Sequence, residues 1–110
     1  MGLLNNICKD ENIKIIGLTE ELAEGITVDS NNIGFGLAVV QGNDKYILYD
    51  TTASIWEKRF TIAHEVAHHL LGHLRPNTTI TPQDRENEAN IFAAVITAMI
   101  LFKEYENKID

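Results

Sequence analysis

Arg59-Phe60-Thr61-Ile62-Ala63-His64-Glu65-Val66-Ala67-His68-His69-Leu70-Leu71-Gly72-His73 is the stretch on which the fold of this chain turns. It contains His64-Glu65-Val66-Ala67-His68, a complete H-E-x-x-H. Residues four apart lie one above the other on one helix face, so both imidazoles can point at one metal ion. Glu65 is turned about 100° from His64, so its carboxylate flanks the ion and can take a proton from water held there. Ile62, Ala63, Val66, Ala67, Leu70 and Leu71 are apolar, which predicts a helix pressed into a core with its histidine face at one edge. Two histidines and a glutamate rarely sit among apolar neighbours without a task.

Working outward, Ser54 with Glu57 three residues later is a capping box, so the helix is predicted to begin near Ile55 and to stop at Gly72. Before it lie two strand-like runs, 33–40 and 45–49, separated by Gln41-Gly42-Asn43-Asp44, which predicts a hairpin. The glycines of the first run, Gly34 and Gly36, read as a bulge or tight bend in preference to room for another backbone. Earlier still, Leu3, Leu4, Ile7 and Cys8 have helical spacing and Ile13, Ile15 and Ile16 suit a strand. Residues 19–24 suit a helical turn capped by Thr19 and ended by Gly25. After the motif, Thr81-Pro82 opens a last helix, with Thr81 as cap and Pro82 at the first helical position, running to about Tyr105. Its first half is charged, and residues 91–101 are almost wholly apolar. That far end is expected to pack inside the domain or against a partner.

At this length the chain is expected to form one domain spanning residues 1–110. Nine Lys and Arg against sixteen Asp and Glu give a net charge of −7, with no basic run. Direct nucleic-acid binding and docking on anionic lipid are therefore not expected. Cys8 is the only cysteine, so neither an internal disulfide nor a multi-thiolate metal site can form. The N-terminus has no signal-peptide pattern, and the apolar run at 91–102 is too short to span a bilayer, so a cytoplasmic protein is expected.

A catalytic zinc ion needs three protein ligands and an open fourth position. The third should be His, Asp or Glu, and the last helix offers Asp84, Glu86 and Glu88. Glu88 is the first choice, because Ala89, Phe92 and Ala93 after it suggest an inward face. Glu86 is the fallback. His69 and His73 form a second pair four apart, turned about 100° from His64 and His68, and are expected beside the ligands or on the surface. Tyr46, Tyr49, His69, His73 and Arg59 are the candidates for stabilising a developing oxyanion.

The motif stretch together with Glu86-Asn87-Glu88-Ala89-Asn90-Ile91-Phe92-Ala93-Ala94 resembles the ImmA/IrrE family of zinc metallopeptidases, which carry an H-E-x-x-H helix and a later E-A-N-x-F-A-A helix. The resemblance covers residues 59–94. It implies His64, His68 and Glu88 as zinc ligands, Glu65 as general base, and an α+β fold in which a small antiparallel sheet packs against helices beside a zincin-like active-site helix. It also implies cleavage or antagonism of a helix-turn-helix repressor of a mobile element or a stress response. A zinc-containing module that inactivates a repressor by docking, without hydrolysis, is the alternative. The sequence departs from the family after Ala94, where Val95-Ile96-Thr97-Ala98-Met99-Ile100 replaces the usual Leu-Leu-Met-Pro-like segment.

Overall fold

A computed structural model of the chain describes residues 2–18 and 36–109. Helix α1 spans Gly2–Asp10, followed by strands β1 (Ile13–Leu18), β2 (Gly36–Gln41) and β3 (Asp44–Asp50). Helix α2 spans Ile55–Leu70 and helix α3 spans Pro82–Ile109. The α+β expectation holds. The predicted turn at 19–24 and Gly34 lie outside the described residues.

The sheet has the order β1-β3-β2 and is mixed, where the sequence suggested an antiparallel one. β2 and β3 form the predicted antiparallel hairpin, and pairing extends to Gln41↔Asp44, leaving Gly42 and Asn43 as a two-residue turn. β1 lies on the other side of β3 and runs parallel to it, from Ile13↔Lys45 to Leu18↔Asp50. A parallel neighbour needs a long crossover. Seventeen residues separate Leu18 from Gly36, and local patterning around β1 carries no sign of its direction.

The core draws on every described element except β2. Leu4 and Cys8 come from α1, Ile13 and Ile47 from the sheet, and Ile62, Ala63 and Val66 from α2. Ala93, Ile96 and Ile100 complete it from α3. Their spacing of three and four on the helices is that of a single buried stripe. Both central helices turn alanines inward, Ala63 and Ala67 on α2 and Ala89 and Ala93 on α3, and all four are completely buried. Small side chains let the two helices approach closely, which decides what α3 can deliver to the histidines.

Candidate metal centre

Helix α2 begins where the capping box places it. Ser54 Oγ accepts from the Glu57 N–H at 3.3 Å, and Glu57 Oε2 accepts from the Ser54 N–H at 3.1 Å. The helix ends at Leu70, with Gly72 at φ 74° and the His73 N–H bonded to the His68 carbonyl at 3.2 Å. A left-handed residue at this position suits glycine, and the reversal it makes folds His73 back under the helix. His73 is 1% exposed and its Nδ1 lies 2.9 Å from His68 Nδ1.

His64 and His68 face the same point, their Nε2 atoms 3.1 Å apart. Glu86, from the first turns of α3, stands over both, with Oε2 3.1 Å from His64 Nε2 and Oε1 3.2 Å from His68 Nε2. Glu88, the sequence's first choice for this place, is elsewhere. Its Oε1 lies 2.7 Å from His73 Nε2. The fallback residue thus meets the imidazoles, and the preferred one meets the third histidine.

With all three imidazoles in their neutral form, the hydrogen bonds behind the ligating atoms fix which nitrogen of each carries its proton. Asn90 Oδ1, an acceptor only, lies 2.9 Å from His64 Nδ1. His64 therefore carries its proton on Nδ1, and Nε2 bears a lone pair. The Glu88 carboxylate accepts from His73 Nε2, so His73 Nδ1 has the lone pair and accepts from His68 Nδ1–H. That in turn leaves His68 Nε2 unprotonated. Burial, and then the neighbouring His64, hold His68 neutral, with its pKa lowered to about 4. In that tautomeric set two nitrogen lone pairs and a carboxylate converge within 3.2 Å. Such a cluster is repulsive by itself and is satisfied by a cation. The donor set therefore fits a metal ion.

Glu65 sits beside this point, and one donor atom from each of His64, Glu65 and His68 lies within 4.8 Å of the others. It is 9% exposed, and it accepts from the backbone N–H of Ala38 on β2. Burial, and then the charge of Glu86, push its carboxyl up to about 7. Gly36 permits this arrangement. It sits in the regular ladder opposite Tyr49, not at a bulge, and a β-carbon there would collide with the Thr61 side chain and reach 3.4 Å from Glu65 Cγ. The missing side chain lets β2 approach α2.

The cleft is bordered by β2, by α2 and by the first turns of α3, with Arg85 the one Lys or Arg among the described residues lining it. Its Nη1 donates to the His73 carbonyl at 3.3 Å. Of the five oxyanion candidates, only His73 reaches the cleft. His69 Nε2 donates to the Tyr46 carbonyl at 2.8 Å, fastening α2 to the sheet. Arg59 forms a two-pronged ion pair with Glu104, at 2.7 and 3.2 Å, and lies over the Trp56 ring. Arg85 and Asn90 were not singled out in the sequence. For Asn90 a signal existed, since it follows Glu86 by one helical turn and so shares its face.

Two imidazoles one turn apart on a helix, a carboxylate from a second helix and a buried glutamic acid beside them define a metallopeptidase-like centre. Residues 8–104, most of the chain, match the family model of the IrrE N-terminal-like domain, Peptidase_M78, and the chain belongs to that family. The resemblance drawn from the two motifs is borne out. Neither the curated proteins nor the solved structures contain a match to the chain.

Proposed function

We propose that this protein is a zinc-dependent endopeptidase, with His64, His68 and Glu86 as the protein ligands and Glu65 as the proton carrier. The observation that carries this reading is the convergence of the two Nε2 atoms, 3.1 Å apart, with the Glu86 carboxylate, whose two oxygens lie 3.1 and 3.2 Å from them. Ligands about 2.0–2.1 Å from a tetrahedral ion stand roughly 3.3 Å apart, close to what is found. Bound zinc would supply Lewis acidity, acidifying water and polarising the scissile carbonyl.

The chain's own residues then have separate tasks. Glu65 takes a proton from the attacking water onto its carboxylate and returns it to the leaving amine nitrogen. A carboxyl near neutrality can do both, and a divalent cation beside it shifts it toward the ionised, accepting form. Asn90 orients His64. Glu88 and His73 orient His68 and hold its Nε2 free of a proton, so Glu88 acts through two histidines. Arg85 brings a positive charge to the cleft, suited to the developing oxyanion.

An extended segment of substrate is expected to lie along β2, which ends the sheet among the described residues and already offers the Ala38 N–H to Glu65. The substrate we infer is a helix-turn-helix repressor. Family membership supports this, and the net charge of −7 suits a basic DNA-binding partner.

The test is cleavage of the candidate repressor by purified protein, with and without a chelator, alongside Glu65→Gln. Loss of cleavage in both, with zinc retained by the variant, supports the peptidase. Relief of repression in cells by Glu65→Gln at the wild-type level would instead establish the docking module without hydrolysis.

A further inference from the structure

The second half of α3 is apolar on both sides. Ala89, Ala93, Ile96 and Ile100 face the core. On the opposite side Ile91, Val95, Leu101, Phe102 and Tyr105 are each more than half exposed, and Ala94 and Ala98 between them are exposed too. No charged residue occurs between Glu88 and Lys103. A helix that is apolar all round is ordinarily covered all round. No helix among the described residues is long and apolar enough to cross a membrane. The net charge of −7 argues against an anionic bilayer surface. These side chains form one contiguous apolar face along the helix, and a contiguous apolar face of this kind marks an interaction surface in preference to scattered surface residues.

We propose that this face pairs with the same face of a second copy, the two α3 helices antiparallel across a two-fold axis at Ala98. The order of side-chain sizes along the helix argues for a second copy. About Ala98, antiparallel pairing sets Ile91 against Tyr105, Ala94 against Phe102 and Val95 against Leu101. Each pair joins a smaller side chain to a larger one, and Ala98 meets itself where the axes come closest. Parallel pairing would set Phe102 on Phe102 and Ala94 on Ala94, alternately crowded and empty. The face also repeats every seven residues, with Ile91, Ala98 and Tyr105, then Ala94 and Leu101, then Val95 and Phe102. That repeat keeps a contact stripe on one side of a helix along its length. A single self-complementary patch is what a two-fold dimer requires. Glu86 and Asn90 face α2, so the pairing leaves the metal centre uncovered.

Sedimentation velocity on the full chain tests this, with Ala98→Glu and Phe102→Glu as disrupting variants and circular dichroism and metal content as controls on folding. The expected result is a dimer for the wild type and monomers for both variants, with helicity and metal content unchanged. Cysteine cross-linking reads the geometry independently, since Cys8 is buried. Under mild oxidation Ala98→Cys should link to itself. Ile91→Cys should not, yet it should link to Tyr105→Cys when the two are mixed. A wild type that stays monomeric at the highest concentration reached would overturn the proposal. So would a dimer indifferent to both disrupting variants, or self-linking of Ile91→Cys as ready as that of Ala98→Cys.

Discussion

Glu65 is stabilised in the wrong ionisation state for a surface carboxylate, and this has a thermodynamic signature. In the metal-free protein its carboxyl holds a proton to about pH 7, whereas in the unfolded chain it releases it near 4.5. Between those values the unfolded chain binds fewer protons, so raising the pH favours unfolding. The contribution is intact below about pH 4.5, is lost as pH rises toward 7, and amounts to about 3 kcal/mol in full. Glu65→Gln should therefore match the wild type in stability at pH 4 and exceed it by about that amount at pH 8. Denaturant titrations of both proteins in chelator check this. At the same scale, the two acids of α3 should separate. Glu86→Ala should abolish stoichiometric zinc binding, while Glu88→Ala should weaken it by roughly 10–100-fold with one ion still bound at saturation. Elemental analysis and competitive titration distinguish the two. The histidine pair was legible because H-E-x-x-H fixes its own geometry. At the third position the sequence put Glu88 first, because the apolar neighbours Ala89 and Ala93 were read as turning it inward, whereas the structure sets Glu86, the fallback, beside the histidine pair. On a helix the acid sharing their face is three residues before Ala89 and seven before Ala93, which is Glu86. Two positions on, Glu88 is turned about 200° away, toward His73.

Helix boundaries and the hairpin turn could be read from local chemistry because a cap, a left-handed glycine and a two-residue turn are decided within a few residues. Ser54→Ala should cost about 1 kcal/mol, since it leaves the Glu57 N–H without its acceptor. The direction of β1 could not be read in the same way, because it is set by the crossover and by packing against α1. Nor could the distance between α2 and α3. That spacing depends on the small, fully buried alanines that both helices turn inward. Ala93→Leu should force the helices apart, costing about 1–3 kcal/mol in thermal or chemical unfolding. It should weaken metal binding as well, although residue 93 touches no ligand, because Glu86 rides on the displaced helix. A loss of stability with metal affinity unchanged would contradict this account of how Glu86 reaches the histidines.

Over the whole molecule, the candidate metal centre lies between two helices that are otherwise held by the core and by Arg59–Glu104 at their far ends. A metal bound by the folded chain and not by the unfolded one adds to stability by mass action. Chelation should lower the melting temperature of the wild type and leave that of Glu86→Ala nearly unchanged, as scanning calorimetry with and without chelator would record. The final strand of the sheet bears on behaviour in concentrated solution. Gly36, Leu37, Ala38, Val39 and Val40 form an uncharged, proline-free run on the outer strand of the sheet among the described residues, and Val40 is 48% exposed. An open margin of that composition templates fibrils and amorphous precipitate as readily as it receives a substrate. The Glu65 carboxylate occupies one of its amide protons, and Thr61 lies where a side chain on residue 36 would be. Both contacts occupy part of that strand, and solubility at high concentration is expected to fall when Glu65 is shortened to alanine.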